Sequence, residues 1–142
     1  MKLKKLTFVV VVTGILLAVC VPLSAHHGAA AYEMSKALEI KDAVVTKYSW
    51  INPHALIYFD AKDDKGEVRH WAAETGSPIA IQVVGWTRNS LKPGDVITIW
   101  VFQAKTGLPV GRLNKLQFAD GKLLRDTQVG ADDGNRTDDG LR

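Results

Sequence analysis

The fold is decided by a turn followed by a strand: Leu91–Asp95, with the sequence LKPGD, and Val96–Gln103, with the sequence VITIWVFQ. The adjacent proline and glycine of the first segment are typical of a turn. In the second segment Ile97, Ile99 and Val101 share one parity, and successive side chains of a strand point to opposite faces. Its β-branched and aromatic content also favours a strand. These residues therefore predict a strand that follows a tight turn and buries one face.

Four further segments carry strand signals of the same kind. They are about Leu38–Trp50, His54–Ala61, Glu67–Glu74 and Val110–Phe118. Between the third and fourth strands, Ser77-Pro78 is typical of a helix start, because serine can cap a helix and proline suits its first position. Gly85 is the expected end of that helix.

Three strands, a short helix and two more strands follow the element order of the OB fold. We therefore predict an all-β domain with one short helix, a small OB-like five-stranded Greek-key barrel, over residues 38–128. Another small barrel or a sandwich would use similar strands and turns. Lys122–Asp126 is expected to form a short extension after the turn at Asp120-Gly121. Residues 129–142 are rich in aspartate and glycine and are expected to be disordered.

The first 25 residues predict a secretory signal peptide. Three lysines precede the apolar run Leu6–Val21, and the small residue Ala25 ends the segment. We expect cleavage after Ala25, a periplasmic or secreted product without stable membrane insertion, and an extended arm over residues 26–37. Two alternatives are lipidation of Cys20, although Val19 before it is larger than is usual at such sites, and an uncleaved leader that anchors the same domain outside the membrane.

Cleavage changes what the composition implies. The formal net charge is +3, and the leader holds three lysines and no acid, so the mature chain is balanced. A balanced charge argues against a nucleic-acid partner, which requires a basic face. The sole cysteine, Cys20, leaves with the leader, so disulfide and thiolate chemistry are excluded from the mature chain.

Several short strings resemble those of one known family. They are Ala25-His26-His27, WINPH at Trp50–His54, WAAETGSP at Trp71–Pro78, GWTR at Gly85–Arg88 and LKPGD at Leu91–Asp95. Together they resemble a bacterial family of small exported proteins known only as a domain of unknown function. The resemblance runs from the arm to the fifth strand. It implies export and a small β fold, and it implies no activity. The family often has a serine and then a phenylalanine after the histidine pair, where this chain has Gly28 and Ala29.

The four histidines are the strongest chemical signal of the mature chain. They are His26, His27, His54 and His70. Imidazole is a common protein ligand for copper and zinc, and an N-terminal His26 would add its α-amine as a second donor. We predict a copper or other transition-metal site formed by His26, His27 and His54, with His70 or Glu74 assisting.

Simpler roles for the same residues remain open. The spacing matches no closed zinc pattern, and the histidine pair could be solvated in a flexible arm. His54 could orient the turn at Asn52-Pro53, and His70 could be a half-exposed strand residue. Met34 is a candidate soft ligand for Cu(I).

The tryptophans indicate an alternative to metal binding. The four of them are Trp50, Trp71, Trp86 and Trp100. A metal-free recognition module could bind a peptide, glycan or small ligand on a face that includes Trp50, Asn52, Trp71 and Trp86. Alternatively, the tryptophans fill the barrel and close its ends, and Asn52 and Glu74 form a buried hydrogen-bonded pair.

Enzyme signatures are absent from the sequence. It has no nucleophile elbow, no glycine-rich phosphate loop and no zinc-protease helix motif. Asp60 and Glu74 could be a carboxylate pair, but nothing in the sequence sets the separation that glycoside hydrolysis requires. We therefore predict a non-enzymatic binding or accessory protein that acts on an unknown exported or envelope partner or on a small ligand.

Overall fold

The computed structural model describes residues 29–127. The predicted signal peptide, His26, His27 and the predicted acidic tail over 129–142 lie outside these residues. The elements are a 3-10 turn at Ala29–Ala31, β1 at Leu38–Ser49, β2 at Leu56–Lys62, β3 at Val68–Glu74, α1 at Pro78–Gln82, β4 at Val96–Gln103, β5 at Val110–Phe118 and β6 at Leu123–Arg125. The bounds of β4 and β5 are those predicted from the sequence.

The strands form a closed five-stranded barrel with one extra strand. Strand β1 pairs antiparallel with β2 and β4, β2 with β3, and β4 with β5. A short parallel pairing of β3 with β5 closes the barrel, and Glu74 stands opposite Arg112 in it. This is the topology of an OB barrel, so the predicted fold is confirmed. The extension predicted after Gly121 forms β6, which pairs with β5 beyond the point where β3 ends.

Buried residues alternate along the strands and form the core, as the sequence pattern predicts. Ile97, Ile99 and Val101 of β4 are buried inside the barrel together with Ile57 and Phe59 of β2. Their burial supplies the main stabilisation of such a domain, about 1.5–3 kcal/mol for each large aliphatic side chain.

Helix α1 packs against the core through one side. Ser77 caps it by accepting a hydrogen bond from the Ala80 amide at 3.3 Å, and Pro78 occupies its first turn. Ile81 and the following Trp86 are fully buried. The helix ends at Gln82, and Gly85 beyond it has a φ of +95°, a left-handed conformation that favours glycine.

The described part of the predicted arm packs along the C-terminal end of β4. Tyr32 bridges to Ala104, the Glu33 amide donates to the Gln103 carbonyl at 2.8 Å, and the Lys105 amide donates to the Ala31 carbonyl at 3.0 Å. Among residues 29–127, no helix has the length and apolarity that crossing a bilayer requires.

Candidate functional site

The candidate site lies at the end of the barrel seam, where β3 stops and β5 continues. Glu74 is the last residue of β3, and its position outside the barrel follows from the strand period, because its neighbour Ala73 is fully buried inside. Three side chains converge on its carboxylate: Tyr32, His54 and Arg112.

Arg112 and Asp126 form the buried base of the site. The Arg112 side chain is 4% exposed, and its two terminal nitrogens lie 3.6 Å from Glu74 Oε1 and 3.3 Å from Asp126 Oδ2. The other oxygen of Asp126 accepts the Gly76 amide at 2.9 Å and the Thr127 amide at 2.8 Å. Asp126 thereby ties the start of the helical segment to the end of β6.

His54 approaches Glu74 from the loop between β1 and β2. Its Nδ1 lies 3.0 Å from the Thr75 carbonyl, and its Nε2 lies 3.4 Å from Glu74 Oε1. A carbonyl oxygen only accepts, so Nδ1 carries a hydrogen and donates a hydrogen bond to the Thr75 carbonyl. In neutral His54 the lone pair is therefore on Nε2, beside the Glu74 carboxylate.

Tyr32 covers the site from the arm. It is 9% exposed, and its hydroxyl donates a hydrogen bond to Glu74 Oε2 at 3.2 Å. Burial, with the adjacent Glu74 carboxylate as a second cause, raises the pKa of the Tyr32 phenol. This contact fixes the start of the described chain against the end of β3.

The charges of the site do not balance with His54 neutral. Glu74 and Asp126 contribute two negative charges and Arg112 one positive charge. The remaining negative charge suits a bound cation or a proton on His54. Within residues 29–127, no group of three or more His, Cys, Asp or Glu side chains is arranged to hold a metal ion, so a metal here would require ligands from outside the described residues.

His70 is not part of this cluster. It shares the outer face of β3 with Glu74, as its parity predicts, but four residues of strand separate the two positions by about 13 Å. Its Nδ1 pairs with Asp60 Oδ1 at 2.7 Å, and its side chain is 82% exposed. Asp60 is thereby engaged with His70 and not with Glu74.

The tryptophans do not share one face. Trp86 is fully buried, and Trp50 is half-buried; both pack on Tyr48 near α1. Trp71 stacks on Phe59 and lines a cleft of about 460 Å³ that is also bordered by the start of β1 and the β2–β3 turn. Trp100 lies on the outside beneath Lys115. Most of these rings thus complete the core, which was the alternative interpretation of the sequence.

The alternative of a buried Asn52–Glu74 pair is wrong. Asn52 is exposed in the β1–β2 loop, where its peptide bond to Pro53 is cis, and Glu74 instead contacts Tyr32, His54 and Arg112. Met34 is half-buried in the arm.

Sequence reasoning missed three residues of the site: Tyr32, Arg112 and Asp126. Their only local signal is the outward parity of Arg112 on β5, which does not distinguish a solvated arginine from a buried one. Their meeting depends on the parallel β3–β5 pairing and on β6, which are contacts distant in the sequence.

The fold and the site together define a small OB-type barrel domain with a charged cluster across its seam. A family model described as "Family of unknown function (DUF6152)" matches residues 13–114, which is more than half of the chain. The chain therefore belongs to this family, and the resemblance to a domain of unknown function is confirmed. No curated protein and no solved structure matches the chain.

Proposed function

We propose that the chain is an exported, non-enzymatic protein that binds copper or another transition metal through His54 and Glu74 together with His26 and His27. The observation that carries this proposal is the orientation of His54, whose Nε2 lies 3.4 Å from Glu74 Oε1 while its Nδ1 is engaged by the Thr75 carbonyl. A metal-ligating histidine typically donates its other ring N–H to such an acceptor, which fixes the tautomer and the ring.

The separation of the two donor atoms suits a shared ion. Two ligands about 2.0–2.1 Å from one metal lie about 2.9 Å apart at a right angle and about 3.4 Å apart at a tetrahedral angle. Without a cation, the lone pair of neutral His54 would face a carboxylate oxygen, which is repulsive. A metal ion or a proton relieves that repulsion.

The length of the arm would allow the remaining ligands to reach the site. Tyr32 is bonded to Glu74 Oε2 at 3.2 Å, and His27 precedes it by five residues, a span of at most about 17 Å in an extended chain. If cleavage leaves His26 at the N-terminus, its amine and imidazole chelate one ion, and His54 completes a three-nitrogen set suited to Cu(II). Glu74 offers a carboxylate oxygen that lowers the net charge of the complex.

Copper titration of the mature protein tests the proposal. Mass spectrometry first establishes whether His26 is the terminus. His54→Asn keeps an amide donor where Nδ1 bonds Thr75 but removes Nε2, and His70→Asn is the matched control on the same barrel. We expect Cu(II) to give a d–d band with the parent chain. The affinity for Cu(II) should fall at least tenfold in His54→Asn and in a variant with one residue added before His26, but not in His70→Asn. Equal binding by all four proteins would refute the site.

A second candidate function is metal-free recognition at the Trp71 cleft. Its volume of about 460 Å³ lies in the range of small-ligand sites. Residues of both charge signs, including Lys41, Asp63 and Arg69, line the cleft together with Trp71. This mixture suits the hydroxyls of a glycan or the backbone of a peptide. Ligand-induced quenching of tryptophan fluorescence that Trp71→Ala abolishes, with copper leaving thermal stability unchanged, would favour this function.

A further inference from the structure

Helix α1 is apolar on two faces but buries only one of them. Pro78 and Ile81 face the core. Ile79 is 75% exposed and Val83 is 84% exposed, and these two residues are four apart, so they lie on one side of the helix. Val84 beside them is 45% exposed. We call Ile79, Val83 and Val84 the α1 patch.

Exposure of the α1 patch is unusual because its side chains are all apolar. Gln82 is the one polar residue of α1. The rest of its exposed surface is apolar, and contiguous apolar surface on a small domain marks a contact with a protein or a membrane. The β-branched side chains of the α1 patch also contribute little to helix stability. Their presence is therefore better explained by an external contact than by folding.

The segment that contains the α1 patch is basic. From Thr75 to Gly94 the sequence contains no acidic residue, whereas Arg88 and Lys92 in this stretch are both exposed. Two acidic residues flank this stretch. Glu74, five residues before Ile79, pairs with Arg112 at 3.6 Å, and Asp95 accepts a hydrogen bond from the Lys92 amide at 2.8 Å.

We propose that the α1 patch adsorbs to an anionic lipid bilayer. Aliphatic side chains at an exposed tip enter the headgroup region, while neighbouring basic side chains interact with lipid phosphates. The exposed Arg88 and Lys92 in the same segment favour an anionic bilayer over an apolar protein groove as the partner. Such adsorption is peripheral, and it involves neither His54 nor Glu74, so it stands independently of the metal site.

Co-sedimentation of the mature chain with lipid vesicles tests the proposal. The vesicles contain equal parts of phosphatidylglycerol and phosphatidylcholine, or phosphatidylcholine alone. We expect binding to the anionic vesicles that weakens at least tenfold in the double variant Ile79→Ser with Val83→Ser. The Arg88→Gln, Lys92→Gln variant should weaken binding and reduce its dependence on salt. Val68→Ser is the control, because Val68 is 52% exposed at the start of β3, and it should bind as the parent does.

Three outcomes would overturn the proposal. One is failure of the parent chain to bind anionic vesicles, and another is unchanged binding by the Ile79, Val83 double variant. The third is a dimer in light scattering that this double variant dissociates while vesicle binding is absent, which would assign the α1 patch to a second copy of the chain. Circular dichroism of each variant establishes that the barrel is folded, which the high exposure of Ile79 and Val83 leads us to expect.

Discussion

Glu74 and Arg112 stand opposite each other in the parallel pairing of β3 with β5, and their side chains form an ion pair of 3.6 Å on the outside of the barrel. The pair lies where the barrel closes. Arg112 continues the contact to the fully buried Asp126 after β6, and Glu74 continues it to His54 and Tyr32. One charged cluster thus connects the arm, the β1–β2 loop, the seam and the C-terminal strand.

Removal of the buried guanidinium should destabilise the fold strongly. Arg112→Met leaves the Asp126 carboxylate buried without its charged partner, and breaking a buried pair in this way costs about 3–5 kcal/mol. Urea unfolding of the variant measures the loss. Arg69→Met is the matched control, because the Arg69–Asp63 pair is 3.9 Å long and Arg69 is 47% exposed, so about 1 kcal/mol or less is expected. Equal losses in the two variants would contradict the role assigned to Arg112.

Tyr32 should contribute to stability through its hydroxyl. Tyr32→Phe keeps the buried ring but removes the hydrogen bond to Glu74, so we expect a loss of about 1 kcal/mol in the free energy of unfolding. Limited proteolysis should also cut the arm faster in this variant. Tyr58→Phe is the control, because the half-buried Tyr58 ring lies beside Lys47 on the outside of the barrel, and it should change stability by about 0.5 kcal/mol or less. A resistant arm in Tyr32→Phe would count against the docking contact.

Removal of the Tyr48 hydroxyl should have the opposite effect on stability to removal of the Tyr32 hydroxyl. Its hydroxyl is buried and has no hydrogen-bond partner among the described residues, and its ring packs between Trp50 and Trp86. Tyr48→Phe removes an unsatisfied polar group while keeping the ring, so the variant should be as stable as the parent or more stable by about 1 kcal/mol. Thermal unfolding measures the difference. A clear loss of stability would mean that this hydroxyl has a partner.

Alkaline pH should weaken the fold through the same two tyrosines. Burial raises the pKa of both phenols, and Glu74 adds to the rise at Tyr32. A raised pKa means that the folded state retains a proton that the unfolded state releases at its ordinary value of about 10. The stabilisation is therefore complete below pH 10 and is lost as the pH rises through the folded-state pKa. Denaturant unfolding between pH 8 and pH 12 should show the decline, and it should be smaller in Tyr32→Phe. A free energy of unfolding that does not change over this pH range would contradict the raised pKa of the two phenols.

The fold was largely predictable because its signals are local. Alternation over Val96–Gln103 gave the bounds of β4, and the strand predicted at about Val110–Phe118 has the bounds of β5. Ser77-Pro78 marked the helix start. The length of α1 was overestimated because Val83 and Val84, which are poor helix formers, precede the glycine that was expected to end it.

The site was less predictable because its contacts are distant. His54 and Glu74 were singled out from the sequence and lie together, whereas His70 lies elsewhere and Asn52 is exposed. Strand parity places His70 and Glu74 on one face but does not bring them within contact distance. Arg112 meets Glu74 and Asp126 only through contacts that are distant in the sequence, which no local pattern specifies. The contribution of His26 and His27 stays a prediction.

The most direct test of the metal proposal is the electron paramagnetic resonance spectrum of Cu(II) on the mature protein, recorded for the parent chain and for His54→Asn. We predict hyperfine coupling to several nitrogens in the parent and one nitrogen fewer in His54→Asn, with His70→Asn identical to the parent. Identical spectra for the parent and His54→Asn would contradict the assignment of His54 as a ligand.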